Sequence, residues 1–441
     1  MDNSTRRRTF SRYNKGLLIN GKKRITLKQT LTHTLIVGAS GRGKTATCFI
    51  PNLVSAKNQS FIVTDLDGSM YEKCSGYLTK QGYDIQVLNL DSVAHGEFFN
   101  PIVLAENEDE LKALCEQIIS SSDASKGSDK FWEFSAISLM FLLTRLVKLQ
   151  ASEYQNLTNV RHLLSLMETK EFPEFVANFA SGSLWNDYLS FQTKDVKLRT
   201  NIQASLSATL DLFAYSEISH VTSKNTIDFE RLTKPKSAIF IIIPERKLAR
   251  YSLLISVFYA QLFEYVQANR PKKPLLFLLD EAGAYKIKNL NILLSILRRY
   301  NCSVSLGIQD ISQFKQLYGQ DASTTIINNA STKIIFPGAS LSLANEVSRM
   351  AGQTSVEILF EGKIRQQNKP VLSVTDIIQM KQNKALILVS NLAPVILSMY
   401  PYFKQFILKR RSRLKPIEFK SNSLINPQLI NLSNTVDHEE N

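Results

Sequence analysis

A short glycine-rich stretch near the N-terminus carries residues suited to holding a phosphate. The stretch LIVGASGRGKTAT has the spacing G-x-x-x-x-G-K-[ST], which is that of a nucleotide-binding loop between a strand and a helix. Glycines allow backbone N–H groups to turn inward around a phosphate, and the helix N-terminus adds its positive end. We predict that Lys44 contacts the β- and γ-phosphates and that Thr45 offers its hydroxyl to Mg²⁺. The predicted nucleotide-binding residues are Gly38, Ala39, Ser40, Gly41, Arg42, Gly43, Lys44, Thr45 and Ala46.

Two carboxylates close an apolar run later in the chain. The run PLLFLLDEAG delivers Asp280 and Glu281 to the end of a predicted strand. Burying two acids there is costly unless a cation uses them, although a solvated strand end is the plainer alternative. We predict that Asp280 holds the Mg²⁺ shell, through water, and that Glu281 orients and deprotonates the attacking water. The glutamate therefore indicates a hydrolysing enzyme more than a switch protein.

Three further side chains could take part in hydrolysis. Gln309 ends the predicted strand CSVSLGIQD, where an amide could sense the γ-phosphate or simply be a polar strand end. Arg298 and Arg299 lie just upstream, in LLSILRRYN. Ring ATPases often need an arginine from the neighbouring subunit, whereas the plainer alternative is a solvated helix end. We predict Arg299 as that arginine, with Arg298 as its close rival.

The elements that position these residues follow a strand–helix rhythm interrupted once. Apolar strands alternate with helical stretches over residues 31–102 and again over 233–415, which predicts an α/β nucleotide-binding domain with a central, mostly parallel sheet flanked by helices. Residues 103–232 instead show helical spacing with few glycines or prolines, which predicts an inserted all-α domain. Residues 1–30 form a basic N-terminal arm, and residues 416–441 a polar tail predicted to be disordered.

The charge of the chain favours a polyanionic partner. The formal net charge is +14 over 441 residues. Much of it lies at the ends of the fold, since residues 1–30 hold nine Lys or Arg against one acid and residues 404–420 hold seven against one. Such a balance fits nucleic acid or an anionic membrane, although solubilising arms would also produce it. No apolar run is long enough for a membrane span, so we expect a cytoplasmic protein.

Several further stretches resemble one known family. They are ATCFIPNLV after the glycine-rich loop, TDLDGSMYEKCSGYLTKQGYDIQVLNL followed by FFNPI, DKFWEFSAISLMFLL, the segment from LDEAGAYK through LLSILRRYN to QFKQLYG, and the segment from KPVLSV to SMYPYF. With the two nucleotide motifs they span residues 31–403. This part of the chain resembles the type IV secretion coupling proteins, the TraG/TraD-like conjugation ATPases, within the class of RecA-like DNA motors.

The resemblance implies a RecA-like P-loop NTPase that forms a homo-hexamer and hydrolyses ATP with Mg²⁺. It implies that the ring recruits a relaxase or relaxosome with its single- or double-stranded DNA, or protein substrates, and drives their transfer to the secretion channel. The inserted all-α domain would meet that substrate. Carried over by position, the site residues are Lys44 and Thr45 for phosphate and Mg²⁺, Asp280 and Glu281 as the Walker B pair, Gln309, and Arg299 as the arginine acting in trans.

Two departures from the family pattern bear on this interpretation. Family members usually begin with a transmembrane region, whereas about 34 residues precede the first predicted strand in this sequence. We therefore expect a separate membrane-anchor protein, or basic residues on anionic lipid, to hold the protein at the inner face of the cell membrane. The family's Asp-Pro-Lys-Gly-Glu is DLDGS in this chain, so that Asp67 stands at the lysine position and Ser69 at the glutamate position.

Two other functions fit part of the pattern. One is a different RecA-like motor, such as a DNA-packaging ATPase, which the all-α insertion disfavours. The other is an ATP-binding substrate receptor with little turnover, which the presence of Glu281 disfavours.

Overall fold

A computed structural model describes residues 9–122, 130–360, 363–390, 392–419 and 423–433, which fall into two compact units. The sheet unit comprises Met1–Ile85, Phe229–Leu248 and Val266–Glu418, and the helical unit comprises Gln86–Asp228, Ala249–Tyr265 and Phe419–Asn441. Residues 1–8 of the predicted basic arm and residues 420–422 and 434–441 of the predicted tail lie outside the described residues. The predicted division into domains stays a prediction, and its boundaries differ from those of the units.

The described residues form one nine-stranded sheet and one two-stranded hairpin. The strands are β1 Thr34–Val37, β2 Ser60–Asp65, β3 Asp84–Asn89, β4 Ser237–Ile242, β5 Leu275–Leu279, β6 Cys302–Ile308, β7 Thr332–Ile335, β8 Gln353–Phe360, β9 Lys363–Pro370, β10 Lys384–Val389 and β11 Val395–Ser398. The order across the large sheet is β11-β10-β7-β1-β6-β5-β2-β4-β3, and β8 pairs with β9. Strands β7, β1, β6, β5, β2 and β4 run parallel, whereas β10 is antiparallel to β7 and to β11. The predicted α/β fold with a mostly parallel sheet is confirmed.

The α-helices are numbered in chain order. They are α1 Leu27–Thr30, α2 Ile50–Leu53, α3 Ser69–Lys80, α4 Pro101–Leu104, α5 Glu108–Ser121, α6 Lys130–Lys148, α7 Leu157–Leu166, α8 Phe172–Phe179, α9 Gly182–Gln192, α10 Val196–Leu210, α11 Ser216–Val221, α12 Leu248–Ala268, α13 Leu290–Ile296, α14 Ile311–Tyr318, α15 Gln320–Asn329, α16 Leu341–Ala351, α17 Val374–Ile378 and α18 Phe406–Arg411. None of the helices in the described part of the chain is long and apolar enough to cross a membrane.

The central strands are apolar at nearly every position because both faces of the sheet are covered. Every residue of β1, β5 and β6 is buried, as parallel strands require. Strand β6 lies between β1 and β5, with Thr34 opposite Ser305 and Leu275 opposite Cys302. The carboxyl ends of the three strands therefore lie side by side. We call this line of strand ends the carboxyl edge of the sheet, and the opposite line the amino edge. The sequence places its glycine-rich loop and its two acids at the carboxyl edge.

The helical unit contains a helix that the sequence assigns to the nucleotide-binding domain. Residues 249–265, the body of α12, cluster with the predicted all-α segment. Phe258 stacks edge-on against Phe99 at 5.1 Å, and Ser256 accepts a hydrogen bond of 3.1 Å from Gln117 Nε2. Sequence periodicity predicts that this stretch is helical, but an apolar helix does not itself reveal which core it joins.

Part of the predicted polar tail has hydrogen-bond partners in the helical unit. Residues 423–433 lie on the helical unit. The Ile425 N–H donates to His220 Nδ1 at 2.8 Å, the Ile430 N–H donates to Asn159 Oδ1 at 3.0 Å, and Ile430 is buried. Polar side chains on the helices thus satisfy the tail's backbone, a long-range pairing that composition does not reveal.

Candidate active site

The glycine-rich loop leaves the carboxyl end of β1 with little room for side chains. A Cβ on Gly38 would lie 2.6 Å from Phe336 Cβ, and Gly43 has a φ of +91°, in the left-handed region that favours glycine. After the loop, Thr45–Phe49 form a π-helical turn that continues into α2. The Ile50 N–H donates to the Thr45 carbonyl, five residues back, and the next residue, Pro51, has no N–H to donate. The predicted strand–loop–helix order holds, but the helix opens with a wide turn.

Lys44 is a buried cation held by two oxygen atoms. Its Nζ donates to the Gly38 carbonyl at 2.7 Å and pairs with Glu281 Oε1 at 3.1 Å, while only 4% of its side chain is exposed. A buried ammonium needs a carboxylate and further hydrogen bonds to offset its lost hydration. The ion pair between Lys44 and Glu281 therefore links the glycine-rich loop to the end of β5.

Thr45 and Asp280 meet directly. The Thr45 hydroxyl donates to Asp280 Oδ2, and the Glu281 N–H donates to Asp280 Oδ1 at 3.1 Å. Burial raises the pKa of Asp280, the Thr45 hydrogen bond opposes that rise, and the charge of Glu281 adds to it. The two residues predicted to serve Mg²⁺ are therefore adjacent, and their metal role stays a prediction.

Glu281 adopts an uncommon backbone conformation. Its φ is +49°, where a residue with a Cβ is strained by about 1–3 kcal/mol. Its side chain is 21% exposed, whereas that of Lys44 is only 4% exposed. The left-handed turn places the carboxylate beside Lys44, where it is still open to solvent, as a predicted base for water must be.

Gln309 lies at the same edge of the sheet as the acids. It follows β6, which separates β1 from β5, and it is exposed. Its N–H donates to Gln313 Oε1 at 2.9 Å, and Gln313 forms a capping box with Asp310 at the start of α14. Within the glycine-rich loop, Arg42 lies beside Gly338, where a Cβ would be 3.3 Å from Arg42 Nε.

Arg298 and Arg299 lie at the opposite edge of the sheet. They belong to a 3-10 turn, Leu297–Tyr300, that precedes the amino end of β6, and both are exposed. Strand β6 has seven residues, so about 20 Å of strand separates the arginines from the edge that carries Lys44. One chain therefore does not bring its arginines to its own predicted nucleotide site.

Sequence reasoning missed Gly307, a glycine inside β6. A Cβ there would lie 2.8 Å from Asp280 Oδ1 and 3.0 Å from Phe49 Cζ. The Gly307 carbonyl also accepts a 2.7 Å hydrogen bond from the Ala282 N–H. A glycine within a strand signals a close approach of another group, and here that group is the buried aspartate.

Sequence reasoning also missed His33, which precedes β1. Its Nδ1 accepts from the Val304 N–H at 3.0 Å, so its Nε2 carries the proton and donates to the Leu294 carbonyl at 2.7 Å. Burial is the main cause that lowers the pKa of His33 to about 4, with the Leu294 hydrogen bond opposing it and the charge of Arg298 adding to it. The neutral imidazole therefore fastens the segment that leads to the two arginines onto the sheet.

The departure at Asp67 has a structural account. Burial raises the pKa of Asp65, at the end of β2, to about 8, and the nearby charge of Asp67 raises it as well. Asp67 accepts from the Ser69 N–H at 3.0 Å, and Asp65 Oδ2 accepts from the Tyr71 N–H at 2.8 Å. The loop that departs from the family's motif is therefore held by backbone N–H groups at the start of α3.

Comparisons with solved structures show the same fold. The conjugative coupling protein TrwBdeltaN70 in an unbound monoclinic form superposes with a TM-score of 0.73 at 14% identity, covering 91% of this chain and 92% of that one. TrwB in complex with ADP and Mg²⁺ gives 0.71 at 15% identity over 96% and 94% of the two chains. VirB4 of Thermoanaerobacter pseudethanolicus gives 0.52 at 12% identity over 87% and 96%. These likenesses confirm the predicted RecA-like architecture.

The sequence comparisons identify the family. No curated protein matches the chain at a significant level. The family model described as type IV secretory system conjugative DNA transfer matches residues 3–428, nearly the whole chain and both of its units. The resemblance seen in the separate motifs thus extends over the full fold, and the protein is a member of the conjugative DNA transfer family of type IV secretion systems.

Proposed function

We propose that this protein is an ATPase that acts as a coupling protein and drives conjugative DNA transfer. The observation that carries the proposal is the meeting of Lys44 with Glu281 and of Thr45 with Asp280 at one sheet edge, in a chain of this family. TrwB structures hold ADP with Mg²⁺ and an ATP analogue, which supports ATP as the nucleotide here.

The chain's own residues suit the binding of a triphosphate. The loop glycines leave backbone N–H groups accessible to a phosphate. The Lys44 ammonium supplies a desolvated positive charge for the β- and γ-phosphates. Arriving phosphate oxygens would compete with Glu281 for Lys44. The released Glu281 carboxylate then orients a water molecule and accepts its proton. Nucleotide binding itself would thereby free the base.

The residues present also fit Mg²⁺. Asp280 is a buried carboxyl whose pKa is raised by burial, and its neighbour is the Thr45 hydroxyl. Oxygen donors of these two kinds are what Mg²⁺ takes beside substrate phosphates, and a cation offsets the cost of burying the carboxylate. When bound, Mg²⁺ would neutralise charge on the phosphate oxygens. Gln309 would sense loss of the γ-phosphate at the same edge.

A second copy of the chain would complete the site. Arg299 is exposed on the far edge of the sheet, so it can serve only a neighbour's nucleotide in a ring. Such head-to-tail contacts close into rings, and we propose a homo-hexamer. Arg298 has the same location and is its alternative.

The partners follow from the same proposal. The ring would act on single- or double-stranded DNA and recruit relaxase or relaxosome proteins. It would hand its substrate to the secretion channel, which it meets directly or through a separate membrane-anchor protein. It would work in the cytoplasm at the inner face of the cell membrane. The helical unit would meet the substrate, as the resemblance implies.

Steady-state ATP hydrolysis with and without single-stranded DNA tests the proposal. Wild type should turn over ATP faster with DNA, while Glu281→Gln should bind ATP and lose turnover by about 100-fold or more, because the base for water is gone. Glu245→Gln, an exposed glutamate after β4, is the matched control and should behave as wild type. Equal, DNA-independent background in wild type and Glu281→Gln would instead indicate a nucleotide-binding receptor with little turnover.

A further inference from the structure

A short helix near the C-terminus of the sheet unit exposes its largest apolar side chains. Helix α18 and the turn before it leave Phe403 46%, Phe406 81% and Ile407 61% exposed. Leu408 is buried and fixes the helix to the unit. The three exposed side chains fall within five consecutive residues, and Phe406 and Ile407 line the same groove, so they are not scattered exposures of the kind that need no explanation.

Unpaired cations surround this apolar surface. Lys404, Lys409 and Arg410 are exposed, and Lys80 reaches the same place from the end of α3. In the described part of the chain, no ion pair involves these four residues. We call these four residues, together with Phe403, Phe406 and Ile407, the Phe406 patch.

Arg411, the last residue of the helix that carries the patch, connects the helix to the rest of the sheet unit. The Arg411 guanidinium donates to the Val54 carbonyl at 3.0 Å and lies over the Tyr77 ring at 4.8 Å. Beside it runs an open groove of about 350 Å³, lined by Lys80, Arg410 and Arg411 and by the apolar side chains of Phe406, Ile407 and Leu414. Among the described residues, the groove is lined by cations and by no carboxylate.

We propose that the Phe406 patch is a membrane-docking surface for anionic phospholipid. The proposal rests on the membrane-peripheral location proposed above and names the surface responsible for it. Phe403, Phe406 and Ile407 would enter the boundary between headgroups and acyl chains, while the cations attract the negative leaflet. The groove would accept a lipid phosphate between Lys80 and Arg410.

The composition of the patch favours lipid over nucleic acid. Single-stranded DNA offers bases that stack on Phe rings and phosphates that meet cations. Its bases can also pack against an aliphatic side chain such as Ile407, one side chain per base. An interfacial lipid layer buries all three apolar side chains at once and satisfies the cations at the same depth, since long cationic side chains extend to the headgroups.

Flotation of the full-length protein with vesicles tests the proposal. One vesicle set is pure phosphatidylcholine and the other contains about 30% phosphatidylglycerol. Wild type should float with the anionic vesicles only, and about 0.5 M salt should weaken that binding. Lys409→Gln/Arg410→Gln should lower the partition about 25-fold, at about fivefold for each charge removed. Phe406→Ser/Ile407→Ser should lower it at least about tenfold.

Matched variants distinguish membrane binding by this surface from nonspecific adsorption to vesicles and from the proposed ATPase activity. Val196→Ser/Lys197→Gln removes an exposed apolar residue beside an exposed cation on α10 and should float as wild type. Lys44→Ala should lose hydrolysis yet float normally, whereas the patch variants should keep the ATPase rate in solution. Phe406→Ser alone, at the most exposed of the three residues, replaces the double variant if that one fails to fold.

Three results would overturn the proposal. Wild type could float equally with both vesicle sets, or the patch variants could float as well as wild type. The patch variants could also lose affinity for single-stranded DNA while keeping their affinity for vesicles. The last result would assign the patch to nucleic acid.

Discussion

The two edges of the parallel sheet hold their charged residues in different ways. At the carboxyl edge, Lys44 and Asp280 are buried and bonded to neighbours within the same chain. At the amino edge, Arg298 and Arg299 are exposed on a 3-10 turn. A buried cation and carboxylate are arranged in advance for a ligand, whereas exposed arginines can serve a second molecule. The difference indicates that the proposed reaction is divided between two copies of the chain.

The backbone at the amino edge is nevertheless anchored to the sheet. His33 joins the Leu294 carbonyl to the Val304 N–H, which ties the segment before the arginines to β6. The arginine side chains are exposed while their backbone is anchored, so a neighbour would meet them at a fixed place. Substitutions at each edge should therefore have separate and distinguishable effects.

The largest effect should come from removing Lys44. Lys44→Ala takes away the desolvated charge that would hold the phosphates, so both nucleotide affinity and turnover should fall, turnover by about 1,000-fold. Arg299→Ala should keep the affinity and lose turnover alone. Titration with a fluorescent nucleotide, together with phosphate release, distinguishes the two. An unchanged nucleotide affinity in Lys44→Ala would show that the nucleotide does not bind at the carboxyl edge.

A smaller effect should follow from filling the space beside Asp280. Gly307→Ala places a Cβ against Asp280 Oδ1 and the Phe49 ring, so Asp280 must shift. Turnover should fall about tenfold and the Mg²⁺ concentration at half-maximal rate should rise. Ser305→Ala, on the same strand two residues earlier, removes atoms instead and is the control. An unchanged Mg²⁺ dependence in Gly307→Ala would show that Asp280 does not bind the metal.

The smallest effect on hydrolysis, below about tenfold, should come from His33→Gln. Its diagnostic result is the pH dependence of stability. Because the pKa of His33 is about 4 in the fold and about 6.5 in the unfolded chain, only the unfolded chain binds this proton between those values. The histidine's stabilisation is complete above pH 6.5 and is lost as the pH falls toward 4.

Urea unfolding at a series of pH values measures this loss. The unfolding free energy of wild type should fall by up to about 3 kcal/mol more than that of His33→Gln across this range. Taking the difference between the two proteins cancels the opposite contribution of Asp65, whose pKa is raised by burial. Parallel pH curves would show that His33 is not held in its neutral form by the fold.

Chain order explains why much of the site could be predicted from the sequence. In a parallel sheet, residues that follow strands share one edge and residues that precede them share the other. LIVG, LLFLLDE and SLGIQD therefore suffice to bring Gly38, Glu281 and Gln309 to the carboxyl edge, and LRRYNC suffices to keep Arg299 from it.

The residues that were missed depend on neighbours distant in sequence. Gly307 matters because Asp280 occupies the space of its absent side chain, and His33 because Leu294 and Val304 meet its two ring nitrogens. No local pattern encodes those contacts. The assignment of residues 249–265 to the helical unit and the contacts of residues 423–433 with that unit have the same origin, since both depend on packing partners rather than on propensity.

Mixing two inactive variants tests the divided site most directly. Lys44→Ala and Arg299→Ala should each be inactive alone in the presence of single-stranded DNA. Mixed in equal amounts before assembly, they should recover roughly a quarter of the wild-type ATPase rate, since half of the sites keep Lys44 and half of those meet an intact Arg299. Arg298→Ala in place of Arg299→Ala shows which arginine acts. A mixture that never exceeds the sum of its two components would contradict a site shared between neighbouring chains.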